Sequence, residues 1–136
     1  MRLVLDANVL IPGLVVPGVC KDLMRHCLIR HTVVSSEYIL HEVATKLVKK
    51  LRLSAASSRA MLDTLRERLV LVEPAAIEPL ACRDPKDLPV LGTAVAGQTR
   101  CLITGDADLL VLSSYRGIVM LRPASFWPFE QTDAGR

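Results

Sequence analysis

Residues 2–10 read RLVLDANVL and residues 102–110 read LITGDADLL. In each, an apolar run stops at a short polar turn that carries an aspartate. Asp6 ends the first run and Asp106 the second, with Asn8 and Asp108 two positions further on. An apolar run without alternation reads as a strand buried on both faces, the pattern of a parallel sheet. A carboxylate at the exit of such a strand is costly unless it has a partner. In open parallel sheets, ligands gather beyond the carboxyl ends of the strands, near a switch in strand order. The two phrases therefore predict a sheet and a candidate site together.

The other segments fit between them. VCKDLMRHCLIR, residues 19–30, has apolar positions at 20, 23, 24, 27 and 28, which is helical spacing. Gly13, Pro17 and Gly18 mark a loop before it. TVVSS, 32–36, predicts a second strand, and Ser35 or Ser36 can cap a helix over about 37–50, with Ile39, Val43, Leu47 and Leu51 on one side. Ser54 can cap another helix to about residue 68. LVLVE, 69–73, predicts a third strand, CLITG, 101–105, a fourth and GIVML, 117–121, a fifth. A helix is expected from Leu88 to Gln98, because proline is tolerated in a first turn. Pro123 can open a short terminal helix, and EQTDAGR reads as a loose end.

Strands alternating with helices imply an α/β sandwich with a mainly parallel sheet. The 136 residues suit one domain, expected over 1–129 with 130–136 as a loose tail. Hydrophobic content of 51% and charged content of 23% exclude a disordered chain. No window of about 18 apolar residues marks a membrane span, and no signal-peptide pattern opens the chain, so a cytoplasmic protein is expected. Cys20, Cys27, Cys82 and Cys101 form no C-x-x-C pair and read as reduced, ordinary cysteines. His26, His31 and His41 are scattered and read as structural or surface residues.

Charge is unevenly spread. The net value is +3, yet residues 46–68 hold Lys46, Lys49, Lys50, Arg52, Arg59, Arg66 and Arg68 against only Asp63 and Glu67. Such a stripe suits a phosphate-bearing partner, and equally a solvated helical face.

Each carboxylate has two readings. Asp6 can make a turn or hold a ligand, and Asn8 can support it or shape the turn. Asp106 can cap the short helix ADLLVL, and Asp108 suits that helix's first turn with or without chemistry. Thr104 is a neighbouring hydroxyl or simply a β-branched strand residue. Asp84 and Asp87 precede LPVLGTAVAG, and capping explains only one of them. Glu42 lies off the apolar stripe of its helix, with Lys46 at i+4, which by periodicity is a surface ion pair.

If these acids converge on one edge of a sheet, they resist joint ionisation. A hard divalent cation with oxygen ligands is the usual compensation. Magnesium binds through one or two carboxylates plus substrate phosphate oxygens, and such sites hydrolyse phosphodiesters. No G-x-S-x-G, Walker loop or G-x-G-x-x-G competes for another chemistry.

Four phrases now stand in order: VLDANVL, SSEYILHEV, RDPKDLPVLGTAVAG and LITGDADLL, with LRPASFW closing the chain. In this order and spacing the chain resembles the PIN-domain (PilT N-terminus) family, and within it the single-domain toxins of toxin–antitoxin pairs of the VapC type. The resemblance implies a three-layer α/β/α sandwich and a magnesium- or manganese-dependent ribonuclease. It puts the four standard acidic positions on Asp6, Glu42, Asp87 and Asp106, with Asp6, Asp106 and Asp87 as metal ligands. Asn8, Thr104 and Asp108 match supporting polar positions. The family overrides periodicity at Glu42. The DLPVL form departs from many relatives, which carry a polar residue where this chain has Leu88, and that gives Asp84 a share in the site. Lys46, Lys49, Lys50 and Arg52 are then candidate RNA contacts. A cognate antitoxin and a homodimer are the partners the resemblance implies. The alternative is a catalytically weak PIN-like module that binds RNA or a partner protein without cleavage.

Overall fold

The computed structural model describes residues 1–134. Six strands, β1 (Arg2–Leu5), β2 (Thr32–Ser35), β3 (Val70–Leu71), β4 (Cys101–Ile103), β5 (Ser114–Tyr115) and β6 (Ile118–Leu121), form one sheet. Its order is β3-β2-β1-β4-β6-β5. The centre is parallel: Leu3 pairs with Val33 on one side and with Cys101 on the other. The β5–β6 pair is antiparallel. Among the described residues seven α-helices surround the sheet: α1 (Ala7–Val15), α2 (Val19–Arg30), α3 (Glu37–Lys49), α4 (Ala55–Arg66), α5 (Leu88–Ala96), α6 (Ala107–Leu110) and α7 (Phe126–Ala134). This is the α/β sandwich with a mostly parallel sheet that the strand phrases predict.

Leu3, Val4, Leu5, Leu102 and Ile103 are fully buried, which explains the unbroken apolar runs of β1 and β4. From β1 the chain builds outward to β2 and β3, then returns across β1 to start β4 on its other side. The carboxyl ends of β1 and β4 thus sit side by side at the switch point. Asp6 N–H donates to the Ile103 carbonyl at 2.9 Å and closes that junction.

Local signals act as expected at several helix starts. Ser36, not Ser35, caps α3: its Oγ accepts from Ile39 N–H and also meets Thr93 Oγ1 at 2.8 Å. Ser54 caps α4 by accepting from Ser57 N–H at 3.0 Å. Ile39, Leu40, Val43 and Leu47 form the buried stripe of α3.

Leu51, expected on the buried side of α3, lies past its end and is exposed. Two larger expectations also fail. The stretch with Gly13 was expected as loop, but Ala7–Val15 is a helix that tolerates Pro12. Gly13 is buried, and a Cβ there would stand 3.0 Å from Met24 Sδ and 3.2 Å from the Cys20 carbonyl, so the residue lets α1 cross α2 closely. The expected loose tail is also corrected for residues 130–134, which continue α7. Fully buried Phe126 anchors that helix, Glu130 bonds His26 and His31, and Asp133 pairs with Arg100. Gly135 and Arg136, the end of the expected tail, lie outside the described residues.

Gly92 offers a packing test. Ala75 N–H donates to the Gly92 carbonyl at 3.0 Å, and a Cβ on Gly92 would lie 2.3 Å from the Ala75 carbonyl oxygen. Backbone cannot yield as a side chain does. Gly92→Ala is expected to cost about 1–3 kcal/mol through overpacking. Denaturant unfolding checks it, and an unchanged midpoint would contradict this packing.

Candidate active site

Asp6 is 4% exposed and sits between β1 and α1. Its Oδ1 accepts from Ala7 N–H at 2.7 Å, so it caps α1. Its Oδ2 accepts from the Thr104 hydroxyl at 2.8 Å and, more weakly, from Asn8 Nδ2 at 3.5 Å. Thr104, fully buried after β4, accepts in turn from Asp106 N–H at 3.0 Å. Asn8 ties the two turns together: its Oδ1 accepts from Gly105 N–H at 3.0 Å, and its Nδ2 reaches Thr104 Oγ1 at 3.3 Å. The two phrases DAN and TGD are one hydrogen-bonded unit. Asn8 and Thr104 both hydrogen-bond Asp6 and the turn that carries Asp106.

Asp106 caps α6, its Oδ1 accepting from Asp108 N–H at 2.9 Å. Its capping reading and its place at the site hold together, because one oxygen suffices for the cap. Asp84 and Asp87 divide as the capping argument requires. Asp84 accepts from Lys86 N–H at 3.0 Å and caps the 3-10 turn Pro85–Asp87. Asp87 caps nothing, although it is only 7% exposed. Its Oδ2 is buried and, among the described residues, meets no hydrogen-bond donor. Each of Asp84, Asp87 and Asp108 offers an oxygen within 4.8 Å of the others'.

Electrostatics follow from this crowding. Asp87 is raised to about 8 by burial, then by the adjacent Asp106 carboxyl and by the charges of Asp84 and Asp6. Asp6 is raised by burial, against the lowering effect of its bonds from Thr104 and Ala7, with Glu42 and Asp106 adding to the rise. Glu42 is therefore close enough for its charge to act on Asp6. It also pairs with Lys46 at 3.2 Å, as its helical spacing says. Glu42 thus makes the surface pair that its periodicity predicts, and its charge also acts on Asp6.

Two neighbours were not singled out in the sequence. Tyr38 Oη donates to the Lys86 carbonyl at 2.8 Å and so fastens α3 to the turn that carries Asp87. Burial raises Tyr38, and the charges of Glu42, Asp87, Asp84 and Asp6 raise it further. Its position four residues before Glu42, on the same helical face, is the signal that could have found it. Arg83 approaches Asp108 at 3.9 Å from an exposed position. Of the basic stripe, Lys49, Lys50 and Arg52 are exposed, while Arg66 is engaged by Glu37 and Asp63.

The donor set is made of carboxylate oxygens, one of them buried without a donor. That chemistry fits a hard divalent cation, which takes oxygen ligands and offsets the burial and crowding that raise Asp87. The frame is a mostly parallel α/β sandwich with aspartates at two adjacent strand ends and at a helix start. The family model described as PIN domain matches residues 2–108, and the chain belongs to that family. No match was found among curated proteins.

Solved structures agree on the fold. A chain in the structure of VapBC2 from Rickettsia felis bound to a DNA fragment from their promoter aligns with a TM-score of 0.67 at 15% identity. The alignment covers 90% of this chain and 98% of that one. VapBC-1 from nontypeable Haemophilus influenzae aligns at 0.64 with 16% identity, over 91% and 99%. DNA-bound VapBC from Salmonella typhimurium aligns at 0.62 with 18% identity, over 90% and 98%.

Proposed function

We propose that this PIN domain is a metal-dependent endoribonuclease and the toxin of a toxin–antitoxin pair. The observation that carries the reading is the buried, donorless Asp87 Oδ2, clustered with Asp84 and Asp108 and acted on by the charges of Asp106 and Asp6, near the switch point of the sheet. Fold neighbours described as VapBC support the toxin role and a cognate antitoxin partner. Among the described residues no single helix is long and apolar enough to cross a membrane.

Asp6, Asp87 and Asp106 are the residues to hold magnesium or manganese, with Asp84 and Asp108 beside them. When bound, the ion stabilises negative charge on the phosphodiester and favours hydroxide over water. The protein's own part is positioning. Thr104, Asn8 and Ala7 N–H hold Asp6 in one orientation. Asp87 Oδ2, once ionised, is an acceptor available to orient the attacking water and take its proton. Glu42 completes the negative wall. A homodimer is expected from the family pattern.

The test is incubation of the purified chain with structured RNA. Cleavage is expected with magnesium or manganese and none with chelator. Binding without cleavage under any metal would favour the alternative, a module that holds RNA without cutting. The stripe is tested separately. Charge reversal at Lys49, Lys50 and Arg52 removes three phosphate contacts. It should weaken RNA affinity about tenfold or more and flatten its salt dependence. Unchanged affinity in a filter-binding series would return those residues to a solvated face.

A further inference from the structure

His26, His31 and Glu130 meet although Glu130 lies 104 and 99 residues from the two histidines in sequence. His26 lies in α2, His31 closes that helix, and Glu130 arrives on α7. Both imidazole Nε2 atoms stand 2.6 Å from the same oxygen, Glu130 Oε2. The three ligand atoms lie within 4.8 Å of one another. Glu130 Oε1 takes no hydrogen bond among the described residues. The His31 Nδ1 faces the Met1 amino nitrogen at 3.0 Å, so the ring turns Nε2 toward Glu130.

The surroundings are shaped for more than a surface ion pair. Phe126 packs edge-on against both rings, with centroids 6.2 Å from His26 and 5.8 Å from His31. Trp127 stands 4.8 Å from His26. These aromatic contacts hold the two imidazoles in place. His26, His31 and Glu130 also line a pocket of about 330 Å³ with Arg30 and Gln131. The pocket leaves room for a fourth, exogenous ligand.

We propose that His26, His31 and Glu130 form a second cation site, separate from the acidic pocket and suited to a zinc-class ion. Two neutral imidazoles and one carboxylate with an open fourth position match zinc's preferred ligands. Bonds of about 2.0–2.1 Å set tetrahedral ligand–ligand spacings of about 3.3 Å. The present 2.6 Å contacts need to open by only about 0.7 Å, within side-chain rotation. Magnesium and manganese favour oxygen ligands, so the two sites differ in the ion they select. A bound ion would replace the imidazole protons now shared with Glu130 and clasp α7 to α2. The proposal does not depend on the ribonuclease reading.

The experiment titrates the full chain with zinc, and with cobalt as a spectroscopic substitute, in excess magnesium to fill the acidic pocket. One ion per chain is expected at low-micromolar affinity or better, with the visible absorption of four-coordinate cobalt. Glu130→Gln and His26→Gln should each weaken binding at least tenfold, while an Asp6→Asn, Asp87→Asn double variant binds as the parent does. Equal affinity in Glu130→Gln and His26→Gln, loss in the aspartate variant, or no cobalt absorption would overturn the proposal. Should either variant fail to fold, nitrogen-15 shifts of the His26 and His31 rings in the unmodified chain decide. Zinc must move both Nε2 signals, and unmoved signals overturn the site.

Discussion

Asp6→Asn is expected to abolish RNA cleavage while leaving the fold intact. The amide keeps the size of the side chain, and its oxygen can still accept from Ala7 N–H as Asp6 Oδ1 does now. Thr104 Oγ1 already accepts from Asp106 N–H and Asn8 Nδ2, so its donation to Asp6 Oδ2 is lost, a cost of about 1 kcal/mol. The charge is lost with it. Burial already disfavours that charge in Asp6, so removing it relieves the folded state. Melting temperature should stay level or rise, and cleavage should fall on the order of 10²-fold or more, the scale on which loss of one transition-state stabiliser is felt. A variant that melts normally yet cuts RNA at the parent rate would remove Asp6 from the catalytic set.

Asp87→Asn separates stability from activity in the same direction, with a pH dependence of its own. In the folded chain Asp87 is raised to about 8 from an ordinary 3.8, by burial first and then by Asp106, Asp84 and Asp6. Between those values the folded state holds a proton that the unfolded state has released. Stability therefore falls as pH rises through that window and levels off above it. Each unit is worth about 1.4 kcal/mol, and with the proton shared among neighbours a loss of a few kcal/mol from pH 5 to pH 8 is expected. In melting temperature that is roughly 5–10 °C for the metal-free protein. Asp87→Asn should flatten this slope and melt higher than the parent at pH 8, yet lose cleavage. Magnesium should raise the parent's melting temperature at pH 8, because a cation favours the ionised carboxyl. It should raise the variant's much less. A parent whose stability climbs from pH 5 to pH 8 without metal would contradict the crowded, protonated Asp87.

Much of this was legible before any coordinates. β1 and β4 announced themselves because a central parallel strand has no solvent face and so no polar alternation. The aspartates after them were legible because the switch-point rule turns strand ends into site positions. Asp84 and Asp87 could be separated only partly, since sequence says that one cap suffices but not which residue makes it. The structure gives the cap to Asp84 and leaves Asp87 Oδ2 without a donor.

The misses share a cause. α1 was hidden because Pro12 and Gly13 are poor helix residues, and only contact with Met24 and Cys20 explains why Gly13 is there. The tail looked polar and loose because its partners, His26, His31 and Arg100, lie 33 to 104 residues away in sequence. No local pattern encodes a pairing over such distances. Strand β5 has two residues and depends on its antiparallel neighbour β6, too short to carry a period of its own.

The central claim is that the acidic switch point is a metal-dependent cutting site. End-labelled structured RNA, digested side by side by the parent and by Asp106→Asn with manganese, and by the parent with chelator, tests it most directly. The account predicts discrete fragments from the parent with manganese alone. Equal fragments in all three digestions would contradict it.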